Sequence, residues 1–336
     1  MTDRVPYRDA IALQPTALKA SLKSISETLD TIDLVPLKSG TIVLAGIGAS
    51  LYAAIVAAVQ MRNQGIRAFA LAATDLYDPS IEAGDAYIAF SASGRSIEPA
   101  TAMEVRPDKP TYGVAMADMT PLSKVVRHMI PTNSGIDSGP NTTSYLGSLL
   151  AAALLADKAG RPSGTDWTAL SPAAQSVLEM VKPQVEKAAK MLGGCKAIDC
   201  VGAGCAYGTA GYISLLIREA ARISAQDWDT LNFLHGPMEP NDKNTGVILF
   251  GDGREVQLAK DLASFGIPAV LITGRSDVTD TDNLVVINVP AFSPGIGDAI
   301  LQAIPAQLIV ATLSEGAGLP VCNFRYRQTD TKLVVG

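Results

Sequence analysis

The chain has 336 residues, of which 48% are hydrophobic and 18% charged, enough for two ordinary hydrophobic cores. A net charge of −6 and a pI near 5.0 argue against nucleic acid or an anionic membrane surface as the main partner. The opening MTDRVPYRDAIALQP has no apolar heart and no long uninterrupted apolar run follows, so neither a secretory signal nor a membrane span is expected, and a cytoplasmic chain is.

In chain order, the apolar runs TIVLAGIG (41–48), AYIAFSASG (86–94) and TYGVAMAD (111–118) predict buried strands separated by helices. A long helical stretch, 168–192, is interrupted by Pro183 and predicts a linker between two halves. A second set of strands follows at IDCVGAG (198–204), TGVILFGDG (245–253) and IPAVLITG (267–274). Buried strands alternating with helices imply parallel sheets in a layered α/β fold.

The two sets are related. An offset of 156 lays Gly46-Ile-Gly48-Ala-Ser50 over Gly202-Ala-Gly204-Cys-Ala206, Arg62 over Arg218 and Asn63 over Glu219. Further along, FSASGRSIEPA (90–100) matches FGDGREVQLA (250–259) with one residue deleted. The first copy carries Ser50, Ser91, Ser93 and Ser96. At those places the second has Ala206, Gly251, a gap and Glu255. The second copy alone carries Glu219 and a loop containing His235.

A strand ending in Ser-x-Ser-Gly-x-Ser and entering a helix gathers hydroxyls and first-turn amides around one point. Those amides lack intrahelical acceptors, and the helix dipole favours an anion, most often phosphate. One such serine is more simply a helix cap; four on two strand-end loops point to phosphate. Glu255 predicts that the second copy binds none. Glu219 lies in the apolar helical stretch SLLIREAARI, where burial raises a carboxyl pKa and suits proton transfer, although a surface Glu–Arg pair with Arg218 or Arg222 is the plainer alternative. His235, before Gly-Pro in a loop and not on an apolar face, reads less as a core histidine than as a candidate for proton transfer. His128 reads as structural. Cys195, Cys200, Cys205 and Cys322 show no C-x-x-C spacing and read as reduced, buried thiols, and two histidines leave little for a metal site.

The segments GIGAS, SASGRS, REAARISAQDWDTLNFLHGP and GLPVCNFRYRQTDTK, with YRDAIALQPTALKASL before them, resemble the tandem SIS (sugar isomerase) proteins. In plan they are nearest to the isomerase half of the glutamine–fructose-6-phosphate aminotransferases, with related deaminases and deglycases. The resemblance implies two tandem SIS domains, each a parallel sheet flanked by helices in a three-layer, flavodoxin-like αβα arrangement. The expected divisions are an N-terminal helical segment (1–37), a phosphate-binding domain (38–165), a linker helix (166–192), an acid–base domain (193–318) and a closing tail (319–336). It also implies a sugar 6-phosphate or amino sugar 6-phosphate held by Ser50, Ser91, Ser93 and Ser96, with the Ala92 backbone and Thr142 and Thr143 assisting. Glu219 becomes the isomerising acid–base, His235 the ring-opening residue contributed across a homodimer, and Lys332 either an orienting group or an imine former. No metal or organic cofactor is expected.

Leu216 and Leu234 stand where the aminotransferases carry lysines, and the acidic residue before the threonines is at best Asp137. These departures lean away from transamination, and, with no glutaminase segment read in this sequence, hydrolysis of glutamine is not expected. The reading is therefore an aldose–ketose isomerase or an amino sugar 6-phosphate deaminase, working through an enediol or enolamine. The alternative is a non-catalytic sugar-phosphate sensor.

Overall fold

The computed structural model describes residues 5–319, 324–326, 328 and 330–333. Cys322 and much of the segment GLPVCNFRYRQTDTK lie outside the described residues. The chain divides into two compact units, one of residues 13–137, 143–171 and 325–336, the other of 1–12, 138–142 and 172–324.

The first of these units contains α2 (Gln14–Leu29), β1 (Thr41–Gly46), α3 (Ala49–Asn63), β2 (Arg67–Ala72) and β3 (Ala86–Phe90). After them come α4 (Ile97–Glu104), β4 (Thr111–Ala115), β5 (His128–Pro131) and α5 (Thr143–Ala159). Helix α1 (Tyr7–Ala12), although earlier in sequence, belongs to the other unit. The five strands are parallel in the order β2-β1-β3-β4-β5, with Ile42 beside Ala86 and Thr41 beside Arg67. Strands β3 and β4 are buried along their whole length, as a sheet covered on both faces requires. Alternation sends Val43, Ala45, Tyr87 and Ala89 to one face, where they pack with Ala102 and Met103 of α4. His128, on β5, sets its ring 5.3 Å from that of Tyr112.

The other unit contains α1, α6 (Leu170–Met180, whose first two residues fall in the first unit), α7 (Lys182–Leu192), β6 (Ala197–Gly202) and α8 (Cys205–Leu216). A π-helix (Ile217–Ala221), β7 (Ser224–Asp229), α9 (Thr230–Leu234), β8 (Thr245–Phe250), α10 (Arg254–Ser264), β9 (Ala269–Thr273), β10 (Leu284–Asn288) and α11 (Ile296–Gly316) complete it. Its parallel sheet runs β7-β6-β8-β9-β10, the same order by position as the first. The predicted break near Pro183 falls at Val181. Pro183 itself sits in the first turn of α7, where a missing N–H costs nothing. Helix α11 is long and apolar enough to cross a membrane, but 89% of its apolar window is buried inside the protein, so it is a core helix. Cys195, Cys200 and Cys205 are buried thiols in no disulfide among the described residues, and burial pushes Cys200 well up.

Four strands escape the sequence reading: β2, β5, β7 and β10. All four lie at sheet edges. The β7 sequence SAQDWD is the clearest case.

Candidate functional site

In both sheets the strand order reverses between the first and third strands in sequence, β1 and β3 in one and β6 and β8 in the other, placing a crevice outside their carboxyl ends. Ligands bind there in doubly wound α/β folds. In the first unit the two loops at that crevice follow β1 and β3. They carry Ser50 and Ser91 to Ser96, and the two strands are paired neighbours. Ser50, half-buried, lies in the first turn of α3, its amide donating to the Ile47 carbonyl at 3.2 Å.

The loop after β3 is held from below. Ser91 N–H donates to Val114 (3.0 Å), Gly94 N–H to Ser91 (2.9 Å), Met116 N–H to the Ala92 carbonyl (2.9 Å) and Leu122 N–H to Gly94 (2.9 Å). Gly94 has φ +61°, and a Cβ there would lie 2.3 Å from Thr120 Oγ1, so conformation and space both demand glycine. Three serine hydroxyls then behave differently. Ser93 is exposed and its Oγ accepts from Arg95 N–H at 3.3 Å. Ser96 occupies the N-cap of α4, yet its hydroxyl caps no backbone amide; it meets Lys332 Nζ at 2.7 Å. Ser91 is 1% exposed and its Oγ has no hydrogen-bond partner among the described residues. A buried, unsatisfied hydroxyl costs about 1–3 kcal/mol, which a ligand oxygen would recover. Helix capping therefore does not explain these serines.

The tail reaches this loop through an antiparallel bridge between Ser96 and Lys332. Leu333 N–H donates to Arg95 O (2.8 Å) and Arg95 Nε to Leu333 O (3.0 Å). Arg95 is the residue the sequence reading passed over. The Gly-Arg pair shared by SASGRS and GDGRE was its available signal.

Thr142 and Thr143 are both buried, but the units part between them: Thr142 belongs to the second-sheet unit and Thr143 to the first-sheet unit. Thr143 Oγ1 donates to Ile136 O at 3.2 Å, and Asp137 accepts from the N–H and hydroxyl of Ser144. Asp137 thus caps α5. In the second-sheet unit, Tyr212 OH donates to Asn141 O at 2.6 Å and accepts from Gln307 Nε2 at 2.7 Å, fixing the stretch that ends in Thr142.

Glu219 stands on the π-helix. The offset of 156 carries β1 on to β6 and Arg62 on to Arg218, but β2 reaches β7 only at 157. Arg62 Nη1 donates to Ala68 O (2.8 Å) and Arg218 Nη1 to Ala225 O (3.1 Å), the same bond with one more residue enclosed. The extra residue is the π turn, a feature that recurs at functional sites. Arg222 closes it with φ +57°. Arg218 is thus committed to a carbonyl, and the Glu219 carboxylate has no hydrogen bond or ion pair among the described residues. Burial pushes its pKa up to about 7. His235 directly follows α9, with an exposed ring that bonds to nothing among the described residues. Glu219 and His235 make no hydrogen bond to each other. Among the described residues no group of three His, Cys, Asp or Glu could hold a metal.

The loop after β8 in the second-sheet unit is filled from within. Glu255 is 5% exposed, its Oε1 accepting from Thr230 Oγ1 at 2.5 Å and its Oε2 from Gly253 N–H at 3.2 Å.

No family model matches the chain. A glutamine–fructose-6-phosphate aminotransferase (isomerizing) of Sulfolobus acidocaldarius is 21% identical over 315 residues, 91% of this chain and 52% of that protein. The chain thus spans about half the length of the curated relatives it matches. The C-terminal domain of glucosamine-fructose-6-phosphate aminotransferase from Francisella tularensis superposes with a TM-score of 0.84 at 16% identity, covering 94% of this chain and 98% of that one. Glucosamine-6-phosphate deaminase from Thermotoga maritima does so with 0.80 at 20% identity, covering 96% and 98%. The similarity establishes a shared fold of two parallel sheets flanked by helices.

Proposed function

We propose that this chain is a phosphosugar isomerase or deaminase built from tandem SIS domains and acting on a C6-phosphorylated sugar or amino sugar. The observation that carries the reading is Ser91, a buried hydroxyl without a partner among the described residues. It lies at a strand-order crevice beside Ser96, which leaves its helix uncapped to meet an ammonium group. Ser50, Ser91, Ser93 and Ser96 hold the phosphate, with amides of the Ala92 loop and the first turns of α3 and α4 assisting. The Lys332 contact to Ser96 supports neutralisation of the phosphate over imine formation. Thr142 and Thr143 line the sugar.

Glu219, with a pKa near neutrality, moves the proton: it takes one from C2 of an open-chain aldose and returns it to C1 through an enediol. On an amino aldose the same transfer passes through an enolamine to an imine at C2. Water then hydrolyses the imine, releasing ammonia and leaving the ketose. Both steps balance without an oxidant or a cofactor. His235 opens the ring, and its exposed, unbonded imidazole supports a role in a neighbouring protomer of a homodimer. The leucines at 216 and 234 lean the assignment away from transamination.

A panel of sugar and amino sugar 6-phosphates, scored for carbonyl position and for ammonia, tests the proposal. Glu219→Gln is expected to abolish turnover while keeping sugar-phosphate binding within about tenfold. Wild-type rates in that variant would overturn the mechanism, and binding without turnover of any substrate would point to a sensor.

A further inference from the structure

We infer that Glu255 is an internal anion seated in a second phosphate-type socket, so that the second-sheet unit carries its own ligand where the first-sheet unit takes one from solution. The inference extends the phosphate reading of the serine loop. Position by position, Gly94-Arg95-Ser96 at the start of α4 corresponds to Gly253-Arg254-Glu255 at the start of α10. Each loop leaves the second strand of the crevice in its own sheet, β3 in one and β8 in the other. Where the first loop presents an orphaned hydroxyl, the second presents none, because the Glu255 carboxylate takes the Gly253 amide and the Thr230 hydroxyl.

The backbone is shaped around that carboxylate. Gly251 has φ +142°, and a Cβ there would lie 2.7 Å from Glu255 Oε2, so the residue matching Ser91 has surrendered its side chain to the carboxylate. A charged side chain 5% exposed is rare unless it is fully paired, and donors from two separate elements pair it here. The other carboxylate of the loop, Asp252, turns away to accept from Thr273 Oγ1 at 2.5 Å and Gly274 N–H at 2.7 Å. Glu255 is therefore the group that fixes one external anion per chain: it satisfies the donors a phosphate would use and repels a second anion.

The test removes the internal anion in a chain whose first socket is already disabled. In the full-length Ser91→Ala, Ser96→Ala double variant, inorganic phosphate is expected to leave the melting temperature unchanged. Adding Glu255→Ser is expected to lower it and to make it rise saturably with phosphate, with the folding equilibrium favoured about tenfold at a concentration ten times the dissociation constant. Glu255→Gly, which leaves room for a small carboxylate, is expected to be restored by acetate but not by chloride. If either variant fails to fold in chloride buffer, folding on addition of phosphate or acetate reads the same effect. No response of either variant to phosphate or acetate overturns the inference. The phosphate reading is scored separately, by whether the wild-type response to phosphate disappears in the double variant.

Discussion

Replacing Glu219 with glutamine is expected to stabilise the protein while abolishing catalysis, and the size of the effect follows from its surroundings. The carboxyl is pushed from 4.5 to about 7 by burial, with no cation paired to it among the described residues. Between those two values the native state keeps a proton that the unfolded chain has released, so native stability falls as pH rises through the window. A displacement of about 2.5 units corresponds to about 3 kcal/mol at 1.36 kcal/mol per unit, stability that is fully present below pH 4.5 and fully lost above pH 7. Glutamine fills nearly the same volume without ionising. The variant is therefore expected to match wild type near pH 4.5 and exceed it by about 3 kcal/mol at pH 8.5, since other titrating groups cancel in the difference. For a unit of this size that is about 6–12 °C in melting temperature, read by calorimetry at several pH values. Parallel pH curves for the two proteins would refute the claim that burial keeps Glu219 protonated. With it would fall the reason for choosing this residue as the base at neutral pH.

The serine loop gives three further expectations. Ser91→Ala deletes a hydroxyl that nothing among the described residues satisfies, so thermal unfolding should show unchanged or higher stability while sugar-phosphate affinity falls about tenfold or more. A loss of stability with intact affinity would mean the hydroxyl is structural. Lys332→Met is expected to raise KM for the phosphorylated substrate with kcat little changed, and borohydride with substrate should trap no adduct on the wild-type lysine; a trapped adduct would restore the imine role. Gly94→Ala forces a Cβ against Thr120 at a left-handed φ, and chemical denaturation should show a loss of about 2–4 kcal/mol. Replacing Arg218 with Met frees the Ala225 carbonyl and loosens the π turn, so the pH–rate limb belonging to Glu219 should move, which a purely structural arginine would not cause. An unchanged limb would show that Arg218 does not position the base.

Much of this was legible in order along the chain. Central strands are continuous apolar runs because both their faces are buried, so TIVLAG and TGVILF declare themselves locally. The serine and glycine positions are visible for the same reason, since a turn of fixed geometry needs particular residues at particular places. The edge strands were not visible, and that α11, long and apolar enough to cross a membrane, is a core helix is decided by the neighbours that bury it. What tertiary structure alone decided is chemical state. Whether Ser96 caps a helix or meets a lysine, whether Glu255 is a surface acid or an internal ligand, and whether Glu219 holds its proton near pH 7 depend on groups from distant parts of the chain. A sequence specifies which side chains exist and how the backbone turns beneath them. Solvent exclusion and hydrogen-bond partners set their proton affinity and reactivity, and those are supplied only when the chain has packed.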